Sequence, residues 1–291
     1  MLKYVEIQEL VAEAEKKNVK ISELVIEDQA LSMEKSRLEL FEKMQISFQV
    51  MMESVQVGMD KNQKSTSGLT GGEGYLMNEY ASKDGGLCGD FMTKAVARAL
   101  SVAGCNASMG KIVAAPTAGS CGILPGCLVS LFEDKGYSEE DIIMSMFTAA
   151  AFGMVIANRA SIAGAKGGCQ AECGSAAAMA AAALVELKGG TPSQCADACA
   201  MAITSQMGLV CDPVAGLVEI PCIKRNASGL MIAFSSADMA MAGITARIPA
   251  DECLDAMKEV GDLMASSLKE TARGGLASTP TGQKLRDKVF G

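Results

Sequence analysis

Apolar positions recur at helical spacing along most of the chain, in two different styles. Over 5–17 and again over 32–59, Glu and Lys alternate with Val, Ile, Leu and Met at i, i+3, i+4 intervals. That is the pattern of helices with one buried stripe. Ser32-Met33-Glu34-Lys35 reads as the start of the longer run, without a complete capping box, and Gly58 as its end. Residues 61–89 turn polar and glycine-rich (Gly71-Gly72-Glu73-Gly74, Gly85-Gly86) and read as one long loop, a length that is commonly functional or mobile. From Asp90 onward, Ala- and Gly-rich segments predict close-packed helices over 91–103, 139–157, 174–187, 192–207 and 230–244. A further helix is expected after Pro125, and an amphipathic one over 253–271. Thr191-Pro192 is a helix start, with proline in the first turn. Strand-like alternation is scarce, and only 111–115 suits extended chain. The predicted fold class is all-α: a compact domain of close-packed Ala/Gly-rich helices joined by glycine-rich turns. The change of style divides a helical section, 1–60, from a helical domain, 61–291, unless 1–291 is one continuous domain.

Composition narrows the function classes. The 291 residues are 49% hydrophobic, enough for a large core, and carry a formal net charge of -8. Aromatic residues make up 4%, and no basic cluster is interleaved with them, so nucleic-acid binding is not expected. Three apolar stretches invite a membrane reading. Residues 142–163 contain Asn158 and Arg159, 229–246 contain Asp238, and 176–187 are too short, so all three predict buried helices and no membrane contact. The start, Met1-Leu2-Lys3-Tyr4-Val5-Glu6, is not a signal peptide. With an odd number of cysteines, this points to a reducing cytoplasm where thiols stay free or bind metal.

There are 11 Cys and 0 His, so a metal site must rest on thiolate, carboxylate or substrate oxygen. Thiolate clusters favour iron–sulfur centres or zinc over magnesium or calcium. Three cysteines sit at Gly or Pro breaks, where a sulfur can point into a cavity: Cys169, Cys211 and Cys222. Cys195 and Cys199 lie inside a predicted helix and read as buried thiols.

Three segments carry candidate chemistry. In 114–126 (AAPTAGSCGILPG) two prolines fix the backbone, Gly119 and its neighbours leave amides open, and Thr117 and Ser120 add hydroxyls. The following helix start favours a carboxylate. The bland alternative is a packing turn, and a Walker loop is excluded by the lack of Gly-Lys-Ser/Thr. In 161–174 (SIAGAKGGCQAECG), Lys166, Cys169, Glu172 and Cys173 crowd one glycine-lined turn. Lys166 is a candidate for a substrate carboxylate or a solvated loop residue. In 208–226, Cys211 and Cys222 frame a loop stiffened by Pro213 and Pro221. Lys224 and Arg225 would offset thiolate charge there, and Asn226 offers an amide to a substrate. No ferredoxin-type cysteine run is present, and spacing alone leaves zinc open.

Together, Pro116-Thr117-Ala118-Gly119-Ser120-Cys121-Gly122, Gly167-Gly168-Cys169-Gln170-Ala171-Glu172-Cys173-Gly174, and Cys211-Asp212-Pro213 with Pro221-Cys222 resemble the alpha chain of bacterial iron–sulfur L-serine dehydratases (L-serine ammonia-lyases). The resemblance covers nearly the whole chain. It implies an all-helical catalytic domain in which Cys169, Cys211 and Cys222 bind a [4Fe–4S] cluster, with Cys173 a neighbour and not a ligand. It also implies a separate beta chain as partner and a small amino-acid substrate. Single-chain relatives are implied to fold a C-terminal cysteine onto the cluster, whereas this chain has none beyond Cys253. Three thiolates leave one iron open as a Lewis acid for the serine hydroxyl, and β-elimination gives pyruvate and ammonia. Thr117, Gly119, Ser120, Lys166 and Asn226 are the candidate substrate contacts. Ser120, Lys166 or a histidine from the partner chain are candidates for the base. Alternatives are a cysteine desulfidase of the same fold, a pyridoxal enzyme with Lys166 as its Schiff-base lysine, or a non-enzymatic iron–sulfur sensor.

Overall fold

The computed structural model describes residues 4–291. Among the described residues it contains thirteen α-helices and no β-sheet, and its one isolated bridge pairs Cys211 with Lys269. The all-α expectation is met.

The helices run α1 (Ile7–Lys17), α2 (Ile21–Met33), α3 (Arg37–Gly58), α4 (Glu73–Asp84), α5 (Asp90–Ala107), α6 (Ile123–Lys135), α7 (Glu139–Arg159), the single turn α8 (Gly164–Gly167), α9 (Ser175–Leu187), α10 (Pro192–Gln206), α11 (Cys222–Met241), α12 (Ala250–Leu263) and α13 (Pro280–Phe290). At the centre lies α9, whose residues from Ser175 to Glu186 are all buried. Seven of its thirteen residues are alanine, so α6, α7, α10 and α11 can all pack closely against it. On the far side of α6 and α11, α5 packs against α3 and α4. The α2–α3 pair leans on α7, and α1 and α12 close the structure over α10. The apolar stretch read as buried is α7, the one helix among the described residues long and apolar enough to cross a membrane. Ile142, Phe147, Phe152, Val155 and Ile156 of α7 face the core.

The first two helices lack side-chain N-caps of their own. Carboxylates from distant helices fill the role. Asp251 on α12 accepts from Ile7 N and Gln8 N, both at 2.9 Å, and Glu186 at the end of α9 accepts from Ser22 N at 3.1 Å. Such capping satisfies amides that the first turn leaves orphaned, and each cap is worth about 1 kcal/mol. Arg159 reinforces the first clamp by bonding Glu6 and Asp255.

Several boundaries differ from the sequence reading. The helix expected over 32–59 begins only at Arg37, because α2 ends at Met33, Glu34 turns left-handed (φ 53°) and Ser36, not Ser32, caps α3. A full capping box joins Ser36 to Glu39. The loop expected over 61–89 contains α4, bracketed by left-handed Gly72 and Gly85; its apolar face is narrow and was hidden by flanking glycines. The helix expected after Pro125 begins at Ile123 with Pro125 in its first turn. The 230–244 helix extends back to Cys222, and the 253–271 helix stops at Leu263. Neither α2 nor α13 was anticipated.

Gly58 ends α3 where it crosses α5. A Cβ there would collide with the carbonyl of Ser101. Gly58→Ala is expected to lose roughly 3 kcal/mol of stability, at the top of the overpacking range, against about 1 kcal/mol for Ser36→Ala; chemical denaturation of the two variants checks the ranking.

Candidate active site

The three cysteine turns meet at one end of α9, because the helices that carry them all pack on it. Cys169 leads into a wide π turn, Gln170–Gly174, that runs without a break into α9. Cys211 follows the end of α10, and Cys222 is the first residue of α11. The end of α10 touches this turn directly, with Gln206 Nε2 donating to Cys173 O at 3.2 Å. π turns concentrate at functional sites because the extra residue re-aims a side chain.

Each turn is fixed by backbone bonds. Gln170 Nε2 donates to Met257 O, and its Oε1 accepts from Gly208 N, both at 2.8 Å. Gly168 holds φ +77°, and a Cβ there would lie 2.7 Å from Met264. Only glycine suits both constraints. In the first segment, Thr117 precedes a short 3-10 turn, Ala118–Ser120. Asn226 of α11 wedges that turn in place: its Oδ1 accepts from Gly122 N (2.8 Å), and its Nδ2 donates to Gly119 O (2.9 Å) and Cys222 O (3.0 Å). In the third segment, Glu219 is buried and accepts from Ser67 Oγ and Thr70 Oγ1, which ties the polar 61–72 stretch to the cysteine loop.

The three sulfurs are buried, with residue exposures of 3%, 3% and 8% for Cys169, Cys211 and Cys222. Desolvation pushes Cys222 up to about 12, with the charge of Cys169 adding and Arg225 opposing. Cys211 is raised by burial first, then by Glu172 and Cys169. Cys169 goes the other way: its pairing with Cys173, Sγ to Sγ at 3.4 Å, and the Arg225 guanidinium outweigh its desolvation. Cys173 is driven up by that same pairing with Cys169 and by its full burial. The three thiols therefore share one electrostatic neighbourhood with one arginine beside them.

Glu172 completes the site. Its Oε1 accepts from Thr117 Oγ1 at 2.8 Å, its Oε2 lies 3.8 Å from Cys211 Sγ, and Ser120 Oγ sits 3.2 Å behind Thr117 Oγ1. Gly119 and Gly164 leave room for the carboxylate, since a Cβ on Gly164 would lie 2.6 Å from Oε2 and 3.0 Å from Cys211 Sγ. Burial raises this carboxyl above its ordinary value, against the stabilising bond from Thr117. The sequence reading named Glu172 without giving it a role. The available signal was a lone carboxylate in an otherwise Ala/Gly/Cys stretch.

Of the residues singled out from sequence, Thr117, Gly119, Ser120, Asn226 and the three cysteines come together. Ser120 is fully buried, whereas Thr117 is half-buried. Lys166 is exposed on α8, where its backbone N–H donates to Ala163 O at 3.0 Å and its side chain has no hydrogen bond or ion pair among the described residues. Cys195 and Cys199 are buried within α10, where burial raises both thiols. The donor set is suited to a thiolate-ligated group: three converging sulfurs, an adjacent guanidinium and, in Glu172, a carboxylate 3.8 Å from one of the sulfurs. Among the described residues, no three Cys, Asp or Glu side chains close tightly enough to hold a single metal ion.

The family described as serine dehydratase alpha chain matches residues 16–277. The chain belongs to that family. It is 48% identical to the probable L-serine dehydratase alpha chain of Bacillus subtilis (strain 168) over 285 residues, 98% of this chain and 95% of the relative. It is 44% identical to the L-serine dehydratase alpha chain of Peptoniphilus asaccharolyticus over 279 residues, 96% of each. A longer relative, L-serine dehydratase 1 of Escherichia coli (strain K12), is 44% identical over 174 residues, which are 59% of this chain and 38% of that protein. The residue range matched by the family contains all three cysteine turns and the Thr117 segment.

Because Asn226 spends its whole amide on backbone partners, Asn226→Ala leaves Gly122 N–H buried without an acceptor. A loss of about 1–3 kcal/mol is expected; urea denaturation of the metal-free protein measures it, and an unchanged midpoint would refute the wedge.

Proposed function

We propose that this chain is the catalytic alpha subunit of an L-serine dehydratase, and that Cys169, Cys211 and Cys222 hold a [4Fe–4S] cluster. The observation that carries this reading is the convergence of three buried sulfurs, 42 and 11 residues apart in sequence, beside the Thr117–Glu172 pair. Three cysteines in a chain without histidine suit an iron–sulfur group, whose protein ligands are thiolates. Arg225 offsets part of the charge that three thiolates would bring, and the helix N-termini at Cys222 and behind Cys173 add to that offset. Because the thiols are buried and mostly raised, loading must displace protons. Such chemistry suits a reducing cytoplasm.

The cluster, when bound, would supply Lewis acidity that turns the substrate hydroxyl into a better leaving group. The chain's own residues do the rest. Thr117 meets the substrate together with the Gly119 backbone, and exposed Lys166 draws in its carboxylate. The α-proton passes to Thr117 Oγ1 as that hydroxyl gives its own proton to Glu172 Oε1, 2.8 Å away. Ser120 Oγ, 3.2 Å behind, steadies the threonine oxygen. A carboxyl raised by burial is a stronger proton acceptor than an ordinary one. Loss of the α-proton and of the hydroxyl as water leaves aminoacrylate, which takes up water to give pyruvate and ammonia. A beta chain as partner fits the printed names of the alpha-chain relatives, and a histidine from it is the competing proton acceptor.

Anaerobically purified protein, with its partner, should be brown, contain iron and sulfide in equal amounts, and form pyruvate from L-serine; parallel assays with L-threonine and L-cysteine define the substrate. Alanine at Cys169, Cys211 or Cys222 should abolish iron binding, while alanine at Cys195 or Cys199 should leave it intact. Equal loss at all five positions would remove the assignment. Glu172 acts only when ionised, so kcat/KM should fall as pH drops through a pKa above the ordinary carboxylate value. Glu172→Gln should erase that limb and cost about 10²–10⁴ in rate; a retained limb would put the proton on another group.

A further inference from the structure

Asp212 takes no part in the chemistry above, yet it is 4% exposed and both of its carboxylate oxygens are engaged. Oδ1 accepts from Arg225 Nη2 at 2.8 Å, and Oδ2 accepts from Leu276 N at 2.8 Å. The two partners belong to different parts of the site. Arg225 also donates from Nη1 to Val210 O at 2.8 Å, and its guanidinium lies in the electrostatic neighbourhood of the Cys169 thiol. Leu276 belongs to the C-terminal stretch 266–278, which is bound to Cys211 itself: Cys211 N donates to Leu268 O (2.9 Å), and Glu270 N donates to Cys211 O (2.7 Å).

Two features show why this carboxylate is needed. The 266–278 stretch holds Glu270 at φ 60° and Ala272 at φ 54°, left-handed conformations that L-residues other than glycine adopt only when their surroundings impose them. Its local preferences do not seat it, so its bonds to Cys211 and Asp212 must. On the other side, Arg225 borders a cavity of about 550 Å³ lined also by Ser205, Gln206, Gly208 and Ser228. Among the described residues, Asp212 is the one carboxylate paired with that guanidinium.

We propose that Asp212 is a positioning residue that couples the seating of the 266–278 stretch to the placement of Arg225 on Cys169, and so joins two of the three cysteine turns mechanically. The proposal rests on the cluster reading only for what the cysteines hold; the coupling is a property of the metal-free chain as well. It is reciprocal, so a disturbance at either end must be felt at the other. Gly275 offers a handle on the stretch, since it holds φ +59° and a Cβ there would collide with Asp212 Oδ2.

Hydrogen exchange followed by mass spectrometry on the full-length, metal-free chain tests this. Gly275→Ala should raise exchange at least tenfold in the 169–174 turn as well as in 266–278, with α7 unchanged as the folding control. Arg225→Lys, which keeps the charge but not the fork, should raise exchange in 266–278. Asp212→Asn, which keeps one acceptor and so carries less folding risk than Asp212→Ala, should do both to a smaller degree. In iron-loaded protein, Asp212→Asn should release iron at least fivefold faster in air at an unchanged melting temperature. A disturbance that stays at its own end overturns the coupling, and so does an iron-loss rate equal to that of the unaltered chain. If the unaltered chain takes up no iron and sulfide, the cluster reading falls, while the exchange comparison still decides the coupling.

Discussion

The arrangement depends on how closely helices can approach α9. Its buried surface, from Ser175 to Glu186, is built from alanine with few larger side chains, so α6, α7, α10 and α11 can all reach it. The three cysteine turns meet because of that convergence. One turn is continuous with the start of α9, another follows α10, and the third begins α11. Cys169 and Cys211, 42 positions apart, are neighbours because α9 and α10 between them pack on each other. The short loop from Cys211 leads to Cys222 at the start of α11. Burial of the sulfurs, and the shifts that follow from burial, are consequences of the same packing.

Around that hub, long-range order is carried by buried carboxylates acting on backbone amides and on hydroxyls. Asp251 and Glu186 hold the first two helices, Glu219 holds the polar stretch before α4, and Asp212 holds the C-terminal segment. A buried carboxylate is costly unless its oxygens are satisfied. Each of these four has a donor on a segment distant in sequence. The cost of burying each one is therefore offset only when the chain adopts this topology, which gives the fold specificity beyond that of an apolar core.

Much of this was legible in the sequence. Helical periodicity marks α1, α5, α7, α9 and α10 because each has either an apolar stripe or a run of small residues with clear ends. The cysteines of the site stood out because they lie at Gly and Pro breaks, and those breaks are where the helices end. What escaped has a physical reason in each case. α4 is short, polar on most of its surface and enclosed by glycines, so its composition resembles a loop. The split between α2 and α3 rests on Glu34 in a left-handed conformation, which nothing in its residue type announces. Asn226 looked like a ligand contact, and its geometry shows three bonds to backbone that no spacing encodes. Glu172 acquires its partners Thr117 and Cys211 only through tertiary contact.

The methyl-covered surface of α9 has one more effect. Alanine has no rotamers to lose, so ordering this helix costs almost no side-chain entropy, in contrast to a Leu- or Met-lined core. The same economy removes slack. A leucine-lined interface can absorb a change by switching rotamers, but a wall of methyl groups can adjust only by moving whole backbones. The floor beneath the cysteine turns is therefore stiff, and a single added methylene at Ala177, Ala178 or Ala181 would shift entire helices.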